Sequence, residues 1–165
     1  MPTPEFIVSL RVRIGNDLLL VPTVAVLARD ADDRLLLVQD QETGLWSCPG
    51  GIVEPDELPA DAAVRETWEE SRVFVELTRV AGVFGGDRCS GTYQNGDRLA
   101  WVATVFSARV VRGIPSGDGA ETLDARFFSD DEVATLQLKN STQLFLEGSA
   151  MANAGTYFEP SSWKP

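Results

Sequence analysis

The stretch Gly51–Val73, GIVEPDELPADAAVRETWEESRV, decides how this chain is built. Gly51 is followed by Glu57, then by Arg65-Glu66, then by Glu69-Glu70. Pro59 suits a first helical turn, and the spacing predicts a helix over about 59–71. On that helix Glu66, Glu69 and Glu70 stand at i, i+3 and i+4, so three carboxylates project from one side of adjacent turns. Like charges packed there are unfavourable unless a cation joins them. Oxygen donors alone suit a hard divalent ion.

The spacing G-x5-E-x7-R-E-x-x-E-E, filled by Gly51, Glu57, Arg65, Glu66, Glu69 and Glu70, resembles the Nudix box of the Nudix hydrolases. The lead-in Trp46-Ser47-Cys48-Pro49-Gly50-Gly51 is similar to the family's W-x-x-P-G-G, and Glu54 fills its usual V-E step. Two positions depart. Thr67 stands where an aliphatic residue is usual, and Arg72 replaces the glycine after the paired glutamates. Both flank the acidic residues, so they bear on helix packing and on the helix C-terminus.

The resemblance implies an α/β/α sandwich with a mixed β-sheet and a catalytic helix. It also implies a Mg²⁺-dependent pyrophosphohydrolase, with Mn²⁺ able to substitute. Such an enzyme uses water to attack phosphorus in a nucleoside diphosphate linked to another moiety, such as a nucleotide sugar or a (deoxy)nucleoside triphosphate. Glu66, Glu69 and Glu70 are then the metal ligands, and the carbonyl at Gly50 is a further candidate. Gly51 is expected where the backbone turns beside the metal and substrate.

Glu57 is either an outer contact to the metal or a salt-bridge partner of Arg65. Arg65 either orients the carboxylates or pairs on the surface with Asp61 or Glu69. Glu121, ahead of a late strand, is a candidate general base or further ligand, with Asp118 and Asp124 behind it. Trp46, Phe84, Tyr93 and Trp101 could stack on a base or sugar, although each also fits core or turn packing.

Composition narrows the alternatives. The chain has 165 residues, suits one domain, and carries a net charge of −11. It offers no basic track for a nucleic-acid duplex. Histidine is absent, which excludes His-based triads and zinc–histidine sites. Two cysteines imply no disulfide framework, and a cytoplasmic location is expected. No apolar run reaches the ~20 residues of a membrane span. Two other functions share the fold: a non-catalytic nucleotide sensor, and an isopentenyl diphosphate isomerase that would need Cys48. No histidine exists to activate Cys48 as a nucleophile. A homodimer is a family-level expectation.

Around the box helix the pattern predicts a helix over about 4–14, capped by Thr3 with Pro4 in its first position, or less strongly a strand there. Strands are predicted over Val21–Ala28 and Arg34–Val38, then over about 73–85 and 98–110, joined through an Asn95-Gly96 turn, then over about 123–128. In the box helix Ala60, Ala63, Val64 and Thr67 form the expected packing face, with Trp68 pointing away from the carboxylates. Helices near 130–136 and 140–148 follow. The core covers about 20–136, and the last residues read as an irregular arm that packs on the body or on a second subunit through Tyr157, Phe158 and Trp163.

Overall fold

The computed structural model of the chain describes residues 4–93, 95–153 and 155–164. Helix α1 (Glu5–Ile14) leads into β1 (Leu19–Arg29) and β2 (Leu35–Asp40), then β3 (Trp46–Ser47) and β4 (Gly50–Ile52). The central helix α2 (Pro59–Ser71) follows. After it come β5 (Phe74–Phe84), β6 (Ser90–Thr92), β7 (Arg98–Arg112) and β8 (Thr122–Phe128). The chain closes with α3 (Asp130–Val133), α4 (Asn140–Met151) and β9 (Tyr157–Phe158).

Among the described residues nine strands form one mixed sheet, ordered β3-β2-β1-β7-β5-β9, with β4 on β1, β6 on β7 and β8 on β2. The β1–β7 and β5–β9 pairs are parallel; the pairs of β5 and β6 with β7 are antiparallel. Alternate residues of the apolar runs go to opposite faces. Val24, Val26 and Ala28 of β1 join Leu36, Ala62 and Ala63 in one cluster beneath α2. Ala25 and Leu27 join Leu35, Leu37, Leu144 and Phe145 in another beneath α4. Helices on both faces of a buried sheet explain why β1 and β2 read as nearly unbroken apolar runs. The result is the expected α/β/α sandwich.

Several local expectations shift. Pro4 is the N-cap of α1 and not its first helical residue, and Thr3 lies outside the described residues. Gly15 ends that helix at φ +57°, donating its N–H to the Arg11 carbonyl. In α2 the buried residues are Ala62, Ala63, Glu66, Thr67 and Ser71, while Ala60 is exposed. At 100° per residue the buried arc is rotated roughly 60° from the expected one, toward the carboxylates. Thr67 is fully buried and satisfied, its Oγ1 donating to the Ala63 carbonyl at 2.7 Å. Arg72 caps α2 in the left-handed conformation, at φ +61°.

At the β6–β7 hairpin only Gly96 of the Asn95-Gly96 pair takes positive φ (87°). The loop is therefore wider than a two-residue turn, closed by Tyr93 N–H donating to the Asp97 carbonyl. The tail is not irregular throughout. β9 adds to the edge of β5, and Tyr157 stacks on Phe84 with ring centroids 5.1 Å apart. Phe158 and Trp163 stay exposed. Among the described residues no helix is long and apolar enough to cross a membrane.

Candidate functional site

Arg65 organises the outer edge of the site. Its Nε and Nη2 donate to the two oxygens of Glu57 at 2.7 and 2.8 Å, a bidentate pair. Nη1 reaches Glu66 Oε1 at 3.0 Å and Glu69 Oε2 at 3.2 Å. Glu57 also accepts the Glu54 backbone N–H. Hydrogen bonding from Arg65 holds the Glu57 carboxyl below its ordinary value. Of the two expectations for Glu57, the geometry realises the salt bridge. Arg65 pairs with Glu69 as the surface reading had it, yet it also holds Glu66, which lines the cleft.

Glu66 and Glu70 fall in the buried arc of α2, and Glu69 stands on its margin beside Arg65. Burial pushes the Glu66 carboxyl up to about 7, against the pull of Arg65. Burial pushes Glu70 up to about 8; the Gly50 N–H donated to its Oε2 at 3.0 Å opposes this, and the charges of Glu66 and Glu121 add to it.

The two glycines of the preceding loop serve different neighbours. A β-carbon on Gly50 would lie 2.2 Å from the Val24 carbonyl oxygen, so only glycine lets β4 sit against β1 there. A β-carbon on Gly51 would strike the Glu66 carboxylate. Neither residue has positive φ, so Gly51 is needed for close approach and not for the tight turn expected of it.

Glu121 is delivered from the other side by a loop built on Asp118. Asp118 Oδ1 accepts backbone N–H groups from Ala120, Glu121 and Thr122, and the Thr122 hydroxyl lies 3.1 Å away. Burial works against this charge, but the donors outweigh it and hold Asp118 at about 2. Asp118 thus anchors the loop. Asp124 is taken by Arg126. The Thr122 hydroxyl donates to the Glu70 carbonyl at 2.9 Å, which ties the Glu121 loop to the end of α2.

These groups line one cleft of about 580 Å³: Glu66, Glu70 and Glu121, with Gly50 and Gly51 on its floor. In the side-chain positions seen, no three acidic residues among those described are gathered into a ready-made metal cluster. The donor set nevertheless fits a hard cation. It is all oxygen, and burial penalises the charged forms of Glu66 and Glu70 beyond what Arg65 and the Gly50 N–H offset. That leaves a deficit of positive charge that a divalent ion would supply.

Beside the cleft lies a more apolar pocket of about 240 Å³ that includes Tyr93, Leu99, Trp101 and Phe145. Tyr93 borders both spaces. Phe84 does not reach either. It is buried against Phe145 and Tyr157, where Gly82 and Gly148 leave space for its ring, and is a core residue. Trp46 packs edge-on against Phe128, with centroids 4.8 Å apart. Cys48 is buried and its thiol is pushed up to about 12, which removes it as a nucleophile. Lys139 and Asp40, joined at 2.6 Å, also line the cleft and were not singled out from the sequence.

Residues 19–147 match the family model described as NUDIX domain. A MutT-like protein from Streptomyces ambofaciens is 32% identical over 114 residues, covering 69% of this chain and 66% of that protein. A putative 8-oxo-dGTP diphosphatase from Bacillus subtilis is 28% identical over 115 residues, 70% of each. The chain thus spans about two thirds of the length of these relatives. The crystal structure of a MutT protein from Methanosarcina mazei superposes with a TM-score of 0.65 at 23% identity, over 82% of this chain and 96% of that one.

Proposed function

Since the chain belongs to the Nudix hydrolase family, we propose that its cleft hydrolyses a pyrophosphate bond with the help of Mg²⁺, for which Mn²⁺ can substitute. The substrate class is a nucleoside diphosphate linked to another moiety. The name of the Bacillus relative puts nucleoside triphosphates first among these. The observation that supports this most is the facing of Glu66 and Glu70 from α2 by Glu121 from a separate loop, across one cleft.

When bound, the divalent ion supplies charge neutralisation at the phosphates and lowers the pKa of water. Glu66, Glu70 and the Gly50 carbonyl are the residues proposed to hold it, with Glu69 joining if it leaves Arg65. Arg65 keeps Glu66 aimed inward, and Glu57 fixes Arg65 by its two-point contact. The Asp118 loop holds Glu121 against Glu70, and one of these two carboxylates takes the proton as water attacks phosphorus. Tyr93 and Trp101 stand where a base or sugar would lie beside the phosphates.

Wild type and Glu70→Gln are to be assayed with Mg²⁺ on a panel of nucleoside triphosphates and nucleotide sugars. The expected result is turnover by wild type and a loss of at least about 10²-fold in the variant at unchanged thermal stability. Full activity of Glu70→Gln would overturn the proposal. A wild type that binds nucleotide without cleaving it would point to a sensor.

A further inference from the structure

The cleft is lopsided in charge. Among the described residues that line it, Asp40, Glu42, Glu66, Glu70 and Glu121 are acidic and Lys139 is the single cation. The chain has only one other lysine, Lys164. Lys139 also borders the apolar pocket that holds Trp101 and Phe145, so it marks the seam between the acidic and apolar spaces.

Its position is fixed from both ends. Lys139 N–H donates to the Trp46 carbonyl at 2.9 Å, and Nζ donates to Asp40 Oδ2 at 2.6 Å. Asp40 is itself anchored, its Oδ1 accepting the N–H and the hydroxyl of Thr43. In the β2–β8 pairing Asp40 lies opposite Thr122, whose hydroxyl holds the Glu70 carbonyl, and the Gln41 N–H donates to the Glu121 carbonyl. One hydrogen-bonded wall therefore carries Lys139, Glu121 and the end of the acidic helix. Asp40 takes one of three ammonium protons, which leaves two donors for a ligand.

We infer that Lys139 is a substrate-binding residue that receives the phosphate joining the scissile pyrophosphate to its organic group. This rests on the pyrophosphohydrolase proposal for the same cleft. The cation at the carboxylates and the ammonium at the seam would mark the two ends of a short phosphate chain. Among the described lining residues five carboxylates stand against this one ammonium, so further phosphates would meet acidic groups with no second cation to receive them. The site takes a di- or triphosphate on an aromatic-sized group and disfavours a multiply phosphorylated ring.

The test measures binding by calorimetry in the presence of Mg²⁺, using a non-hydrolysable nucleoside triphosphate and inositol hexakisphosphate, beside turnover of the ordinary triphosphate. Lys139→Met should weaken triphosphate binding about ten- to a hundredfold, the loss expected for one charge-assisted hydrogen bond. KM should rise far more than kcat falls. Lys139→Arg should recover most of the lost affinity, and wild type should bind inositol hexakisphosphate at least tenfold more weakly than the triphosphate. Unchanged binding in Lys139→Met, no recovery in Lys139→Arg, or equal binding of the two ligands would each overturn the inference. If wild type turns over and Lys139→Met binds normally, only this inference falls. If wild type binds but cleaves nothing in the panel, the catalytic proposal falls and Lys139 is still judged by affinity. A wild type that binds no triphosphate sinks both.

Discussion

A β-carbon on Gly51 would stand 2.3 Å from Oε1 of Glu66, so the glycine that opens the acidic motif on β4 makes room for a carboxylate of the helix that follows, α2. The adjoining Gly50 makes room for backbone instead, at 2.2 Å from the Val24 carbonyl oxygen. The same substitution at the two positions therefore has different consequences.

Gly51→Ala should fold, because the group it displaces is the far end of a flexible side chain. Metal-dependent turnover should fall about 10²-fold, since a displacement of about 1 Å at a catalytic group costs that much. Gly50→Ala should lose stability outright by separating β4 from β1. Thermal unfolding of both variants beside their activities checks the contrast. A fully active Gly51→Ala, or a Gly50→Ala as stable as wild type, contradicts it.

Arg72 occupies a left-handed position that suits glycine, at φ +61°, ψ 18°, with its side chain exposed. A non-glycine residue there costs roughly 1–2 kcal/mol. Two effects offset the relief: glycine loosens the unfolded chain, and the Arg72 charge favours the helix C-terminus. Arg72→Gly should still gain about 0.5–1 kcal/mol in urea unfolding, and Arg72→Val should lose stability. An Arg72→Gly protein less stable than wild type would show that the arginine is kept for a contact.

Stability should depend on pH in an unusual direction for carboxylates. Glu66 and Glu70 titrate near 7 and 8 in the folded, metal-free protein against an ordinary 4.5. Between those values the folded chain holds protons that the unfolded chain has released, so the contribution of these two groups to stability falls as pH rises from about 4.5 to about 8. The lowered carboxyls, Asp30, Asp40, Glu57, Asp118 and Glu132, act the opposite way, but only below the ordinary values of 3.8 for Asp and 4.5 for Glu. In chelator, Tm should drop from pH 5.5 to pH 8. Added Mg²⁺ should flatten that slope, because the ion replaces the protons. A Tm that climbs with pH in chelator would contradict these assignments.

The sandwich was legible from the chain because its local signals agree. Nearly continuous apolar runs at β1 and β2 require cover on both faces, and the box helix supplies one layer. The box also set Glu66, Glu69 and Glu70 on one helix, as α2 carries them. It did not say which carboxylates would be buried. Three glutamates on one helical side look equivalent, yet packing of Ala62, Ala63 and Ser71 on the sheet turns Glu66 and Glu70 inward and leaves Glu69 to Arg65. Phe84 failed as a substrate contact for the same kind of reason. Its ring fits a hollow made by Gly82 and Gly148, and Gly148 lies on a helix far along the chain.

By itself the sequence determined the periodicities, the acidic helix and the glycine loop ahead of it, since these follow from backbone geometry within a few residues. Tertiary structure alone decided the rotation of that helix, the role of Asp118 as an anchor, and the meeting of Lys139 with Asp40 beside Glu121. Those depend on which strands pair and in what register, and the pairing free energy is spread over many distant residues.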